Sequence, residues 1–121
     1  MMSLIYENKI VGAGDMVSAF QGEKMFILFG ENAPDTLKDF CYTIDIKNTN
    51  AEIAVGQILD IDGNKFEITA VGNVAEKNLT SLGHMTVVFD GSKEASLPGS
   101  IYVEDKDMPE LKIGTVIKIE G

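Results

Sequence analysis

The sequence is poor in the residues on which most catalytic and metal chemistry depends. Its 121 residues include one cysteine, Cys41, one histidine, His84, and no tryptophan. One cysteine forms no internal disulfide, which fits a reducing compartment. A zinc centre draws on several Cys or His ligands, and two such residues do not supply them, so neither a metal nor a cofactor is expected. Long apolar runs are missing as well. The longest, Met25 to Phe29, falls far short of the roughly 20 residues of a membrane-spanning helix. The stretch Met1 to Lys9 has no basic region followed by an apolar one, so no secretion signal is expected and the cytoplasm is the expected location. Basic residues are scarce: 10 Lys and Arg stand against 19 Asp and Glu, for a net charge of −9. Such a surface repels nucleic-acid backbones and gives anionic membranes nothing to hold. The acidic residues are dispersed along the chain, as on a solvated face.

What is present points to β structure. Apolar residues make up 45% of the chain, enough for a core, and the length fits one compact domain over 1–121. Short apolar or alternating runs are punctuated by glycine and turn residues. Strands are expected over Leu4–Val11, Lys24–Phe29, Phe40–Ile46, Gln57–Ile61, Lys65–Val71, His84–Phe89, Ser100–Glu104 and Thr115–Glu120. Gly12-Ala13-Gly14-Asp15 reads as a break, and Asp62-Gly63-Asn64 as a hairpin turn. In Phe40–Ile46, Phe40, Tyr42, Ile44 and Ile46 share one face. Two short helices are expected. One spans Ala33–Asp39, with Pro34 near its first position. The other spans Val74–Leu82, with Asn73 as N-cap and Gly83 as stop. Val55–Gly63 and Ile113–Gly121 share the pattern aliphatic-Gly-x-aliphatic-aliphatic-x-Ile-acid-Gly. The fold class is therefore mainly β: a small closed or pseudo-symmetric β-barrel with one or two short helices.

Few residues offer chemistry. His84, in Leu82-Gly83-His84-Met85, is the candidate catalytic residue, because a neutral imidazole nitrogen is a good nucleophile near pH 7. The alternative for His84 is a structural histidine bonded to a neighbouring carbonyl. Cys41 would need a nearby cation to become a thiolate, and Lys38 is the local one; the alternative is a small buried hydrophobe. The acidic loops Asp60–Asn64 and Glu104–Asp107 lack the spacing of a calcium loop and read as solvated turns. Val11-Gly12-Ala13-Gly14-Asp15 lacks the third glycine of a phosphate-cradling loop.

The run Ile68-Thr69-Ala70-Val71-Gly72-Asn73-Val74-Ala75-Glu76-Lys77-Asn78-Leu79, continuing through Leu82-Gly83-His84 to Phe89-Asp90-Gly91, resembles the central signature of the glucitol/sorbitol-specific IIA components of the sugar phosphotransferase system. Leu97-Pro98-Gly99, Gly114–Lys118, Glu31–Pro34 and Cys41-Tyr42 extend the resemblance over nearly the whole chain. The resemblance implies a small β-barrel-like fold and a phosphocarrier that takes phosphoryl from HPr onto a histidine and passes it to IIB, for use by the membrane unit IIC. In that family the acceptor histidine follows the Cys-aromatic pair. Here Ile44 stands at that place and Ile46 at a second family histidine. The chain thus resembles an active carrier that would have to use His84. The alternative is a non-phosphorylatable paralogue that acts by binding or regulation.

Overall fold

A computed structural model describes residues 3–121, so Met1 and Met2, part of the stretch read for a secretion signal, lie outside it. Among the described residues, nine strands form one sheet: β1 (Leu4–Lys9), β2 (Gly12–Ala13), β3 (Met25–Phe29), β4 (Cys41–Thr43), β5 (Ile58–Ile61), β6 (Asn64–Val71), β7 (Met85–Val88), β8 (Ser100–Val103) and β9 (Val116–Glu120). One α-helix, α1 (Ala75–Leu82), follows β6. The strand order is β1-β9-β5-β6-β8-β7-β3-β4-β2. Neighbours are antiparallel except β3 with β4 and β7 with β8, which are parallel.

Alternation sets the faces. Tyr6, Leu59, Ile61, Phe66, Ile117 and Ile119 point inward to one apolar cluster, with Phe26, Leu28, Tyr42, Ile44, Met85 and Val87 from the other half of the sheet. Burying a large apolar side chain contributes about 1.5–3 kcal/mol, so this cluster decides the register. On the opposite face of the first four strands in order, Glu7, Lys118, Asp60 and Lys65 stand opposite one another in alternating sign. Buried Asn8 is fully satisfied. Its Nδ2 donates to the Tyr6 hydroxyl and to the Asp45 carbonyl, both at 2.7 Å, and its Oδ1 accepts from the Lys9 N–H.

The structure departs from the sequence expectations at several places. The strand expected over Phe40–Ile46 is confined to Cys41–Thr43, with Phe40 in the preceding 3-10 turn and Ile46 exposed and so off the face of buried Tyr42 and Ile44. Gly12-Ala13 is not a break but a short strand paired to Tyr42-Thr43. Ala33–Asp39 is not a helix. The Pro34 carbonyl accepts from both Leu37 and Lys38 N–H groups, and only a 3-10 turn over Lys38–Phe40 follows. A second 3-10 segment, Val17–Glu23, lay in no expected element. The α-helix starts one residue late. Val74, not Asn73, is its N-cap, with no side-chain bond, whereas Gly83 ends it in the left-handed conformation as expected.

The pairing also does not close into a ring, so it forms an open sheet and not the expected barrel. β1 and β2 occupy its two ends. They are successive parts of one segment, which pairs with β9 through its first half and with β4 through its second. The sheet is thereby rolled around the core with its ladder open. The internal similarity, in contrast, has a clear place. The strands of its two copies, β5 and β9, are neighbours, and Leu59 opposite Ile119 is matched by Ile61 opposite Ile117. Exchanging the copies carries one pair into the other, an approximate two-fold axis through Asp60 and Lys118. The same exchange carries the β5–β6 pairing onto β9–β1: Ile61 opposite Asn64 becomes Ile119 opposite Tyr6.

Candidate functional site

His84 is positioned by a crossing of two glycines. Gly83, at φ +69°, turns the chain from α1 into β7. A Cβ there would stand 2.8 Å from the Gly30 nitrogen, and one on Gly30 would stand 2.7 Å from the Leu82 carbonyl oxygen. Both positions therefore need glycine for close approach. The Gly30 N–H donates to that Leu82 carbonyl at 2.9 Å. The β3–β7 register ends at Leu28 opposite Met85, which carries His84 alongside Phe29. The imidazole stacks on the Phe29 ring with centroids 4.3 Å apart and planes 26° apart. Its Nδ1 lies 3.2 Å from the Leu28 carbonyl oxygen. A carbonyl only accepts, so Nδ1 carries the hydrogen and Nε2 of the neutral ring holds a free lone pair. Nε2 has no hydrogen-bond partner among the described residues and is not sealed from solvent. His84 is thus the carbonyl-bonded histidine of one sequence reading and a ring with a free nucleophilic nitrogen, as the other reading requires.

Ile44 faces the other way. It is fully buried among the core residues, and its N–H donates to the Phe29 carbonyl at 3.0 Å. Its outward neighbours are half-buried Thr43 and exposed Asp45. Ile46 is 47% exposed and lies close against Gly30. The segment 44–46 and His84, distant in sequence, therefore meet at Phe29-Gly30. A cavity of about 300 Å³, lined by Glu31, Asn32, Ile44, Asp45 and Ile46, opens beside them. Leu82 is also 47% exposed. The sequence reading missed Leu28, Phe29 and Gly30 as parts of this site. A carbonyl contact made through strand pairing leaves no residue pattern, and only the glycine at position 30 hinted at a close approach.

The other candidates are occupied elsewhere. Cys41 is buried, its thiol donates to the Leu37 carbonyl at 3.2 Å, and burial pushes it up to about 11. Lys38 pairs with Asp35 at 3.2 Å. Asp60 accepts from the Gly63 N–H at 2.7 Å, and Asp62 from the Val116 N–H at 2.9 Å. The Glu67 N–H beside Glu104, reinforced by Lys106, holds the Glu104 carboxyl below its ordinary range. Lys24 pairs with Asp105. Gly14 lets the chain pass against the Asp39 carbonyl. No helix of the described residues is long and apolar enough to cross a membrane.

The model of the PTS system glucitol/sorbitol-specific IIA component family matches residues 5–118. The glucitol/sorbitol-specific EIIA components of Shigella flexneri and Escherichia coli K12 are each 33% identical to this chain over 120 residues, covering 99% of it and 98% of the relative. A crystal structure of a PTS system IIA component from Enterococcus faecalis V583 superposes with a TM-score of 0.79 at 31% identity, over 93% of this chain and 97% of that one.

Proposed function

Since this chain belongs to the family of glucitol/sorbitol-specific IIA components of the phosphotransferase system, we propose that it is a cytoplasmic phosphocarrier, relaying phosphoryl from HPr to IIB, with Nε2 of His84 as the carrying atom. The observation that carries this reading is the bond between Nδ1 and the Leu28 carbonyl, which leaves the Nε2 lone pair without a protein partner among the described residues and not sealed from solvent. The Nε2 lone pair attacks the phosphorus on the donor, and the donor's bond to phosphorus breaks as the P–Nε2 bond forms. With Nδ1 still protonated, the product ring is cationic. The Leu28 carbonyl and the C-terminal end of α1 both favour positive charge there, while the ring remains a good leaving group for the next transfer. Exposed Leu82 and Ile46 offer HPr and IIB apolar contacts.

The test is incubation with enzyme I, HPr and labelled phosphoenolpyruvate. Wild type takes up one acid-labile phosphate, seen on Nε2 by phosphorus NMR, and His84→Gln takes up none. No label on wild type, or equal label on His84→Gln, overturns the reading.

Buried Ile44 favours a second reading. With no nucleophile at the family's acceptor position, the chain would dock on transport components without receiving phosphate. HPr binding without any phosphate transfer is the outcome that selects it.

A further inference from the structure

A second cavity of about 200 Å³ is lined by Val17, Ser18, Tyr42 and the loop 108–111, with room for roughly six or seven waters at their liquid volume. Its walls include Val17, Met108 and Leu111, all at least half-buried. One polar side chain in it has no explained role. Tyr42 is 8% exposed, and its hydroxyl, without a hydrogen-bond partner among the described residues, is not sealed from solvent. The ring is fixed from inside by an edge contact with Phe26, with centroids 6.3 Å apart and planes at 84°. The hydroxyl lies on the side of Glu110, whose charge adds to burial in raising its pKa. Tyr42 lines the cavity together with Glu110 and Ser18.

We infer that this cavity is a binding site for a small alkylammonium group. The apolar walls take the hydrocarbon body. The Tyr42 and Ser18 oxygens accept from the ammonium N–H groups, and Glu110 supplies the counter-charge. No cationic residue lines the cavity, so a carboxylate-headed molecule of the same shape is rejected by Glu110. The phenol stays neutral at physiological pH and keeps its lone pairs for the ligand.

The experiment titrates n-butylammonium, n-butanol and butyrate into isotopically labelled full-length protein and follows amide shifts by NMR. Butylammonium produces saturable shifts at Val17, Ser18, Tyr42 and 108–111, butanol weaker ones and butyrate none. Tyr42→Phe weakens butylammonium binding about fivefold, as loss of one hydrogen bond predicts. Glu110→Gln, an exposed change that leaves the fold intact, removes the preference for amine over alcohol and serves if Tyr42→Phe does not fold. Absence of saturable shifts at these residues, equal binding of butyrate, or an unchanged amine preference in Glu110→Gln overturns the assignment. None of these readouts involves His84 or phosphate transfer.

Discussion

At the scale of single residues, burial decides what a side chain does. Cys41 had a nucleophile reading and a packing reading, and its pKa of about 11 selects packing at neutral pH. The raised value has a consequence for stability. A thiol whose folded pKa is raised contributes stability that is complete below its unfolded pKa and lost as pH climbs through the folded one. The window therefore runs from the thiol's ordinary value of 9.0 to the folded value of about 11. Across it the loss is at most about 3 kcal/mol, since each pH unit between the two pKa values is worth about 1.4 kcal/mol. Tyr6 and Tyr42, also raised by burial, continue the loss at higher pH. Urea unfolding from neutral to strongly alkaline pH checks this: wild type weakens across the window, and Cys41→Ala, less stable at neutral pH, weakens less over the same range. Ile44 illustrates the same rule. Its alternation with Tyr42 was legible in the sequence, and with it the inward face. That Ile44 is fully buried followed only once the core was seen.

At the scale of elements, glycine positions were the most readable signals. Asp62 at φ +49° and Gly63 at φ +92° form the tight turn joining β5 to β6, the conformation that two-residue hairpins favour. Gly63→Ala places a side chain at a positive φ and is expected to cost about 1 kcal/mol, measured as a lower urea midpoint with unchanged slope. Gly83 was legible for the same reason, as a helix stop. Strands with strict alternation were found because the core enforces period two. The region 33–39 was misread because Pro34 permits a helix start without supplying what continues one. No apolar stripe there faces the core, and the chain settles for 3-10 turns. Val17–Glu23 was invisible because its packing rests on a tilted contact between Phe20 and Phe40, 5.6 Å apart and far apart in sequence. The pairing of His84 with the Leu28 carbonyl was illegible for a related reason: it depends on β3 and β7 being neighbours, which no local pattern specifies.

At the scale of the molecule, strand order is the property least written into any one segment. The similarity between Val55–Gly63 and Ile113–Gly121 suggested symmetry, but not that its axis would run between adjacent strands. That axis bears on the chain's ends. The backbones of Ser3 and Gly121 exchange hydrogen bonds at 2.8 and 2.9 Å, at the place the two-fold relation assigns to the Asp62-Gly63 turn. In topological terms the polypeptide is nearly a loop whose cut could lie at either of two equivalent corners. Linking the ends with a short glycine bridge and reopening the chain at Asp62-Gly63 turns the most sequence-distant pairing, β1 with β9, into a hairpin and makes β5 with β6 the distant one. Mean contact separation barely changes, and folding speed follows that separation. The permuted protein is therefore expected to keep the native near-ultraviolet circular dichroism and to refold within about tenfold of the original rate in stopped-flow mixing.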